Sequence, residues 1–256
     1  MFDHVIVTHP KDFECLPLCV EGLENISGSS GKAYVISSED PKLNGVEFVN
    51  EKEFDHIIKF SDIRDRLVKA YPSTNGLQDG SDRTGWYYQQ FLKMYSGELL
   101  NTTDRFHVLC SDTIFLNDPG FNENVFHFQL NPMNWQPYKV SINNIFEEGF
   151  WIGDMTMHHM LFCRNGLQKM KERIEEQHGK DMCNSILDRM TYESGANMSE
   201  YALFGNWMVR TEPEKSIQYF LRQQDLLDQP LPTKEVLKQY KDNGYHYVNS
   251  HEHSRT

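Results

Sequence analysis

The chain has 256 residues, 39% of them hydrophobic and 12% aromatic, enough apolar material for one sizeable core, and a formal net charge of −12. With 37 acidic against 25 basic residues and no Lys/Arg run, it is not built to hold a nucleic-acid backbone or an anionic membrane, although a small phosphorylated ligand stays possible. No stretch reaches the roughly eighteen unbroken apolar residues of a membrane span, and the opening Met1-Phe2-Asp3-His4 lacks the basic-then-apolar pattern of a secretory leader, so a cytoplasmic protein without an integral membrane segment is expected. Cys15, Cys19, Cys110, Cys163 and Cys183 are odd in number and lack zinc or redox spacing, and they read as reduced thiols.

His4 to Thr8 is a short β-branched run ended by His9-Pro10, and Lys32 to Ser37 is a second, ended before Pro41. Phe13 to Leu23, between them, is long enough for a crossover helix, so the opening reads β-α-β with buried, mostly parallel strands. Val46 to Val49 predicts a third strand. Glu51 to Tyr71 predicts a helix through Phe54, Ile57, Ile58, Ile63 and Leu67, broken by Pro72 to Gly76. Gly85 to Gly97 predicts another, with Tyr88, Leu92 and Tyr95 on one face and Gln89 and Lys93 one turn apart on another. A strand at Phe106 to Cys110 then runs through Ser111-Asp112-Thr113 into Ile114-Phe115-Leu116.

Phe126 to Trp151, aromatic and Asn-rich with weak periodicity, reads as short strands or hairpins. Met160 to Cys163 reads as a strand end. Helices are expected from Asn165 to His178, from Met182 to Met190, and from Glu200 to Val209 behind the N-cap Ser199. Two further helices, Ser216 to Leu227 and Thr233 to Asp242, lead to a stop at Gly244. The expected fold class is α/β: a mixed, mostly parallel sheet flanked by helices over residues 1–210, with residues 211–256 as a helical C-terminal extension packed on the same domain.

An open α/β sheet binds its ligand at the carboxyl ends of its strands, so polar residues that end apolar strand runs come first. Thr8, Ser37 and Asp112 are such residues. A carboxylate at a buried strand end needs a cation or several donors to offset its desolvation, and Asp112 either has that role or caps the next turn. No Gly-rich dinucleotide fingerprint follows Thr8 and no P-loop is present, which argues against a dehydrogenase and an ATPase.

The segment Val108-Leu109-Cys110-Ser111-Asp112-Thr113-Ile114-Phe115-Leu116 resembles the metal-binding Asp-X-Asp segment of GT-A glycosyltransferases. Gly85 to Lys93 before it, and His158 to Phe162 and Ser199 to Asn206 after it, extend the match. Together they are similar to a poorly characterised family of GT-A-like transferases from bacteria and large algal viruses. The resemblance implies a Rossmann-like GT-A domain that moves a sugar from a nucleotide-diphosphate donor, a UDP-sugar foremost, to a glycan acceptor. It implies Mn²⁺ or Mg²⁺ held by Asp112 against the donor diphosphate, with Ser111 beside it in the donor-binding segment. Arg83 and Lys93 would neutralise the donor phosphates, unless they are solvated surface charges.

The resemblance also makes Glu200 the expected base of an inverting transfer, since many GT-A enzymes carry an acidic residue at the start of a helix facing the acceptor. Asp154 is the reserve, and the alternative for Glu200 is a charge complementing the helix N-terminus. GT-A enzymes often take a third metal ligand from a histidine near the C-terminus, which implicates His251 unless the tail is only a mobile surface segment. Cys110 departs from the pattern, standing where the first Asp is usual. A hard dication prefers oxygen, so either Asp112, the diphosphate and water suffice or metal dependence is weakened. Neighbours His158 and His159 cannot point the same way, so one lines the site and the other is structural. Trp135, Tyr138, Phe150 and Trp151 form either a sugar-stacking wall or aromatic core. The competing functions are a nucleotidyltransferase or nucleotide-sugar hydrolase on the same fold, and a nucleotide-sugar-binding module without catalysis.

Overall fold

A computed structural model describes residues 1–76, 81–226 and 230–250. Strand β1 (Phe2–Val7) is buried at every residue, as a strand covered on both faces must be. Helix α1 (Leu16–Gly22) crosses to β2 (Ser29–Ser37), and β3 (Val46–Asn50) follows. Helices α2 (Phe60–Ala70) and α3 (Thr84–Leu99) lead to β4 (Arg105–Cys110), β5 (Thr113–Phe115) and β6 (Phe126–Phe128). Helix α4 (Gln136–Ile145) precedes β7 (His159–Cys163), after which come α5 (Arg164–His178), α6 (Met182–Arg189) and α7 (Glu200–Thr211). The chain returns through β8 (Ser216–Gln218), β9 (Gln223–Asp225), α8 (Lys234–Asp242) and β10 (Tyr247–Asn249).

The main sheet has the order β3-β2-β1-β4-β7, parallel except for β7, which runs antiparallel to β4. Strand order reverses at β1: β2 and β3 extend to one side and β4 to the other. A crevice opens at such a reversal, outside the carboxyl ends of the strands. One face packs Val5, Val7, Tyr34, Ile36 and Val108 against Phe91 and Tyr95 of α3, Met170 of α5 and Phe204 of α7. The other face packs Ile6, Val35 and Leu109 against Leu16 and Cys19 of α1, Phe115 and Tyr247. Helix α1 lies directly on β5 at Gly22, where a Cβ would meet the backbone N and O of Phe115 at 2.8 and 2.9 Å. Among the described residues no helix is long and apolar enough to cross a membrane.

The fold is mixed α/β, with a largely parallel sheet flanked by helices and a helical C-terminal region. Three stretches differ in detail from the sequence expectation. Residues 126–151 contain a helix, α4, entered through Pro137 and burying Tyr138, Ser141, Ile142 and Ile145, a helical spacing hidden among the surrounding Asn and aromatic residues. Glu51 to Tyr71 splits, because Lys59 is extended (φ −110°, ψ 141°) between a 3-10 turn at Glu51–Phe54 and α2. Ser216 to Leu226 is not helical. Leu221 is buried and Phe220 exposed, a strand-like alternation, and β8 and β9 find partners in β6 and β10. The helix expected from Thr233 does form, with the Thr233 side chain accepting from Val236 N.

Candidate functional site

Sheet register aligns Val7 with Ile36 on one side and with Cys110 on the other. Thr8, Ser37 and Ser111 are the next residues of their strands, so the three fall side by side at the carboxyl edge where strand order reverses. All three are buried. Thr8 donates its backbone N–H to Ile36 O at 3.0 Å, continuing the ladder. Ser37 is fully buried and its Oγ has no hydrogen-bond partner among the described residues, so a polar group is held at this edge without compensation.

Beyond Cys110 the chain turns sharply through Ser111 and Asp112 into β5. Because β7 is antiparallel to β4, with Leu109 opposite His159, His158 comes to lie beside Cys110, whose N–H donates to His158 O at 2.9 Å. One ligand atom from each of Cys110, Asp112 and His158 lies within 4.8 Å of the others, a cluster able to coordinate a metal ion. The returning C-terminal segment frames it. Ser250 N donates to Asp112 O at 2.9 Å, Asp225 Oδ1 stands 3.8 Å from His158 Nε2, and Asn249 Nδ2 donates to Asp225 Oδ1 at 2.7 Å. His251 lies outside the described residues. His159 points the other way, into a buried aromatic cluster with His107, Phe115 and Tyr247, as adjacent residues of a strand must.

Lys93 and Glu200, expected in separate roles, meet in one buried ion pair, with Nζ 2.7 Å from Oε1. Helix α3 delivers the lysine from below the sheet edge, and the first turn of α7 delivers the glutamate. Lys93 Nζ also donates to Cys110 Sγ at 3.4 Å and sits 4.7 Å from the centre of the Tyr201 ring. Burial works against the lysine's charge, but Cys110 and Glu200 outweigh it and hold the ammonium above its ordinary range. Burial pushes the Cys110 thiol up to about 11; Lys93 opposes that shift and Asp112 adds to it.

Asp154 is buried, its Oδ2 accepting from Trp135 N at 3.0 Å and its Oδ1 from Thr156 N at 2.9 Å. Arg83 occupies the N-cap position of α3, its Nε buried without a hydrogen-bond partner among the described residues. Tyr138 of α4 connects these groups. Its hydroxyl is raised above its ordinary range by burial first and then by Asp154 and Glu200, with Arg83 acting in the opposite sense. Of the aromatic candidates, Phe150 is partly buried and stacks on core residue Phe146 at 4.2 Å between ring centres. Trp135 is 38% exposed and donates its indole N–H to Ala196 O at 2.8 Å. Sequence reasoning missed Asp225 and Asn249, since nothing local marks a residue that reaches the site through the pairing of β9 with β10 and of β10 with β5.

Asp112 offers the oxygen that Mn²⁺ or Mg²⁺ prefers, but the other two ligand atoms of the cluster are a thiol sulfur and an imidazole nitrogen. That set mixes one hard oxygen donor with two softer ones.

No family model matches the chain. A curated sequence, the cytoplasmic dynein heavy chain of Paramecium tetraurelia, is 25% identical over 173 residues, covering 58% of this chain and 4% of that protein's length. Among solved structures, the galactosyltransferase LgtC in complex with donor and acceptor sugar analogues is 10% identical, with 98% of this chain and 88% of that chain covered and a TM-score of 0.49. An active-site mutant of LgtC is 11% identical, with 98% and 87% covered and a TM-score of 0.51. At that identity the likeness to the mutant concerns the fold alone, and the fold is GT-A-like.

Proposed function

We propose that this chain is a glycosyltransferase that takes its sugar from a nucleotide-diphosphate donor, a UDP-sugar foremost, and moves it to a glycan acceptor. The observation that carries the reading is the alignment of Thr8, Ser37 and Ser111, with Asp112 beside them, at the reversal edge of a GT-A-like sheet. Residues 1–210 supply that edge, and the described residues beyond 210 bring Asp225 and Ser250 to His158 and Asp112.

The donor's diphosphate departs as an anion, and fixed positive charge is what lowers the barrier to its departure. Arg83, with an unengaged Nε, serves the phosphates directly. Lys93, whose charge Glu200 neutralises in the buried pair, adds no net positive charge there. The acceptor hydroxyl must also lose a proton. Glu200 is paired and sealed, and Asp154 holds two backbone N–H groups. These engagements favour a transfer in which the leaving diphosphate takes the proton. An inverting reaction through Glu200 requires the ion pair to open first.

The test is a thermal-shift panel of nucleotide sugars followed by product analysis. A cognate donor at a hundred times its dissociation constant stabilises by about 2.7 kcal/mol, roughly 5–10 °C for a domain of this size. Nucleoside diphosphate released only with acceptor establishes transfer. Nucleoside monophosphate plus sugar phosphate instead means attack at phosphorus, and binding without turnover means a nucleotide-sugar-binding module.

A further inference from the structure

We infer that Cys110, Asp112 and His158 form a site for a borderline divalent cation, Zn²⁺ or Co²⁺, rather than for Mn²⁺ or Mg²⁺. The function of such a cation rests on the donor-site reading above, but its binding rests on the three side chains alone.

The argument is from donor chemistry and from what surrounds the donors. Thiolate and imidazole select zinc-like ions, whereas an all-oxygen set suits magnesium and manganese. Ligand atoms around a tetrahedral zinc stand roughly 3.3–3.8 Å apart for its usual bond lengths. The three ligand atoms here already lie within 4.8 Å of one another, so side-chain adjustment of about 1 Å completes the set without moving the strands. Three protein ligands leave a fourth position open, as zinc sites that engage a substrate do.

The surroundings match those of a ligated site. Lys93 Nζ donates to Cys110 Sγ at 3.4 Å, and Asp225 Oδ1 stands 3.8 Å from His158 Nε2, within ion-pair reach and a small side-chain shift short of the hydrogen bond by which a carboxylate orients a coordinated ring. The charges also balance. Lys93 is cancelled by Glu200, so a ligating thiolate and the Asp112 carboxylate present two negative charges to a dication. All three ligands are half-buried, which leaves an entry path while limiting competition from bulk water.

The experiment titrates the metal-stripped full chain with Co²⁺, without nucleotide, and follows absorption. A near-ultraviolet sulfur-to-cobalt charge-transfer band should appear at one equivalent, vanish on addition of one equivalent of Zn²⁺, and survive about a hundredfold excess of Mn²⁺. Cys110→Ser should abolish the band. His158→Gln should keep the sulfur band but weaken Co²⁺ binding by about tenfold or more, which guards against a Cys110 variant that fails to fold. Cys110→Asp, which restores the all-oxygen pair, should lose the band and gain affinity for Mn²⁺. Absence of the band in the unaltered chain, its persistence in a folded Cys110→Ser, or displacement of Co²⁺ by equimolar Mn²⁺ overturns the proposal. Donor-induced thermal stabilisation in the presence of a chelator is measured separately, so the glycosyltransferase reading survives or fails on its own.

Discussion

Lys93 Nζ stands 2.7 Å from Glu200 Oε1 with 3% of the lysine side chain and 1% of the glutamate exposed, so the two charges neutralise each other with almost no water present. Breaking such a pair from one side leaves an uncompensated buried charge, which costs about 3–5 kcal/mol, against about 1 kcal/mol for a charge that only complements a helix start. Glu200→Gln is therefore expected to lower the melting temperature by roughly 10 °C, and Lys93→Met/Glu200→Leu to recover most of the loss. Differential scanning calorimetry of the single and double variants decides it. A loss of only a degree or two in Glu200→Gln would mean that the pair contributes as a helix-start charge and no more.

Asp112→Asn preserves volume but removes a charge at the edge where the donor is placed. Donor affinity measured calorimetrically with divalent cation should fall by about tenfold or more, the scale of a lost charge-assisted contact. Because Asp112 is half-buried and the hydrogen bond from Ser250 N to its backbone O survives the substitution, the melting temperature should change little. Equal donor affinity in variant and parent would remove Asp112 from the donor site.

Ser37→Ala separates binding from packing. The Ser37 hydroxyl is fully buried and makes no hydrogen bond within the described residues, so its removal costs no internal bond and should leave stability unchanged or slightly raised. If the donor supplies the missing partner, the dissociation constant should rise about five- to tenfold, corresponding to a net hydrogen bond of about 1 kcal/mol. A drop in melting temperature with unaltered donor binding would show that the hydroxyl serves the fold instead.

Acid should destabilise the chain through three histidines on the opposite sheet face. His4 Nδ1 and His107 Nδ1 are 3.2 Å apart, and the His107 and His159 rings lie 5.2 Å apart between centres. Burial, opposed by Asp3, brings His4 down to about 4. Burial and then His158 bring His159 down to about 3, and burial followed by its two histidine neighbours holds His107 well below its ordinary range. All three are neutral when folded and gain protons readily only when unfolded. Their contribution is complete above pH ~6.5 and is lost as pH falls through the folded values. For His4 the shift from 6.5 to about 4 corresponds to about 3 kcal/mol. Urea midpoints between pH 7 and pH 4.5 should fall steeply, and less steeply in His159→Phe. A pH-independent midpoint over that range would contradict the burial of neutral rings.

Most of the sheet was legible from its sequence because strands such as β1 and β7 are short, mostly apolar runs buried at every residue, and the long helices carry an apolar period. The Ser199 cap bonds as read, to Ala202 N, and Thr233, at the start of an expected helix, caps it through Val236 N. Thr8, Ser37 and Ser111 were legible because strand ends are marked locally, although only the register of β1 with β2 and β4 puts them in one line. Other features depended on contacts between distant segments. Residues 216–225 have too little local preference to choose helix or strand, and pairing with β6 and β10 chooses strand. Lys93 and Glu200 are 107 positions apart and joined only when α3 and α7 pack under the same edge. Cys110, Asp112 and His158 became one donor set because an antiparallel last strand returns His158 to the end of β4. Local sequence thus determined which elements form, since propensity, period and capping act within a turn or a strand. The partner of each charged or ligating side chain was set by long-range register and helix packing, which no local pattern encodes.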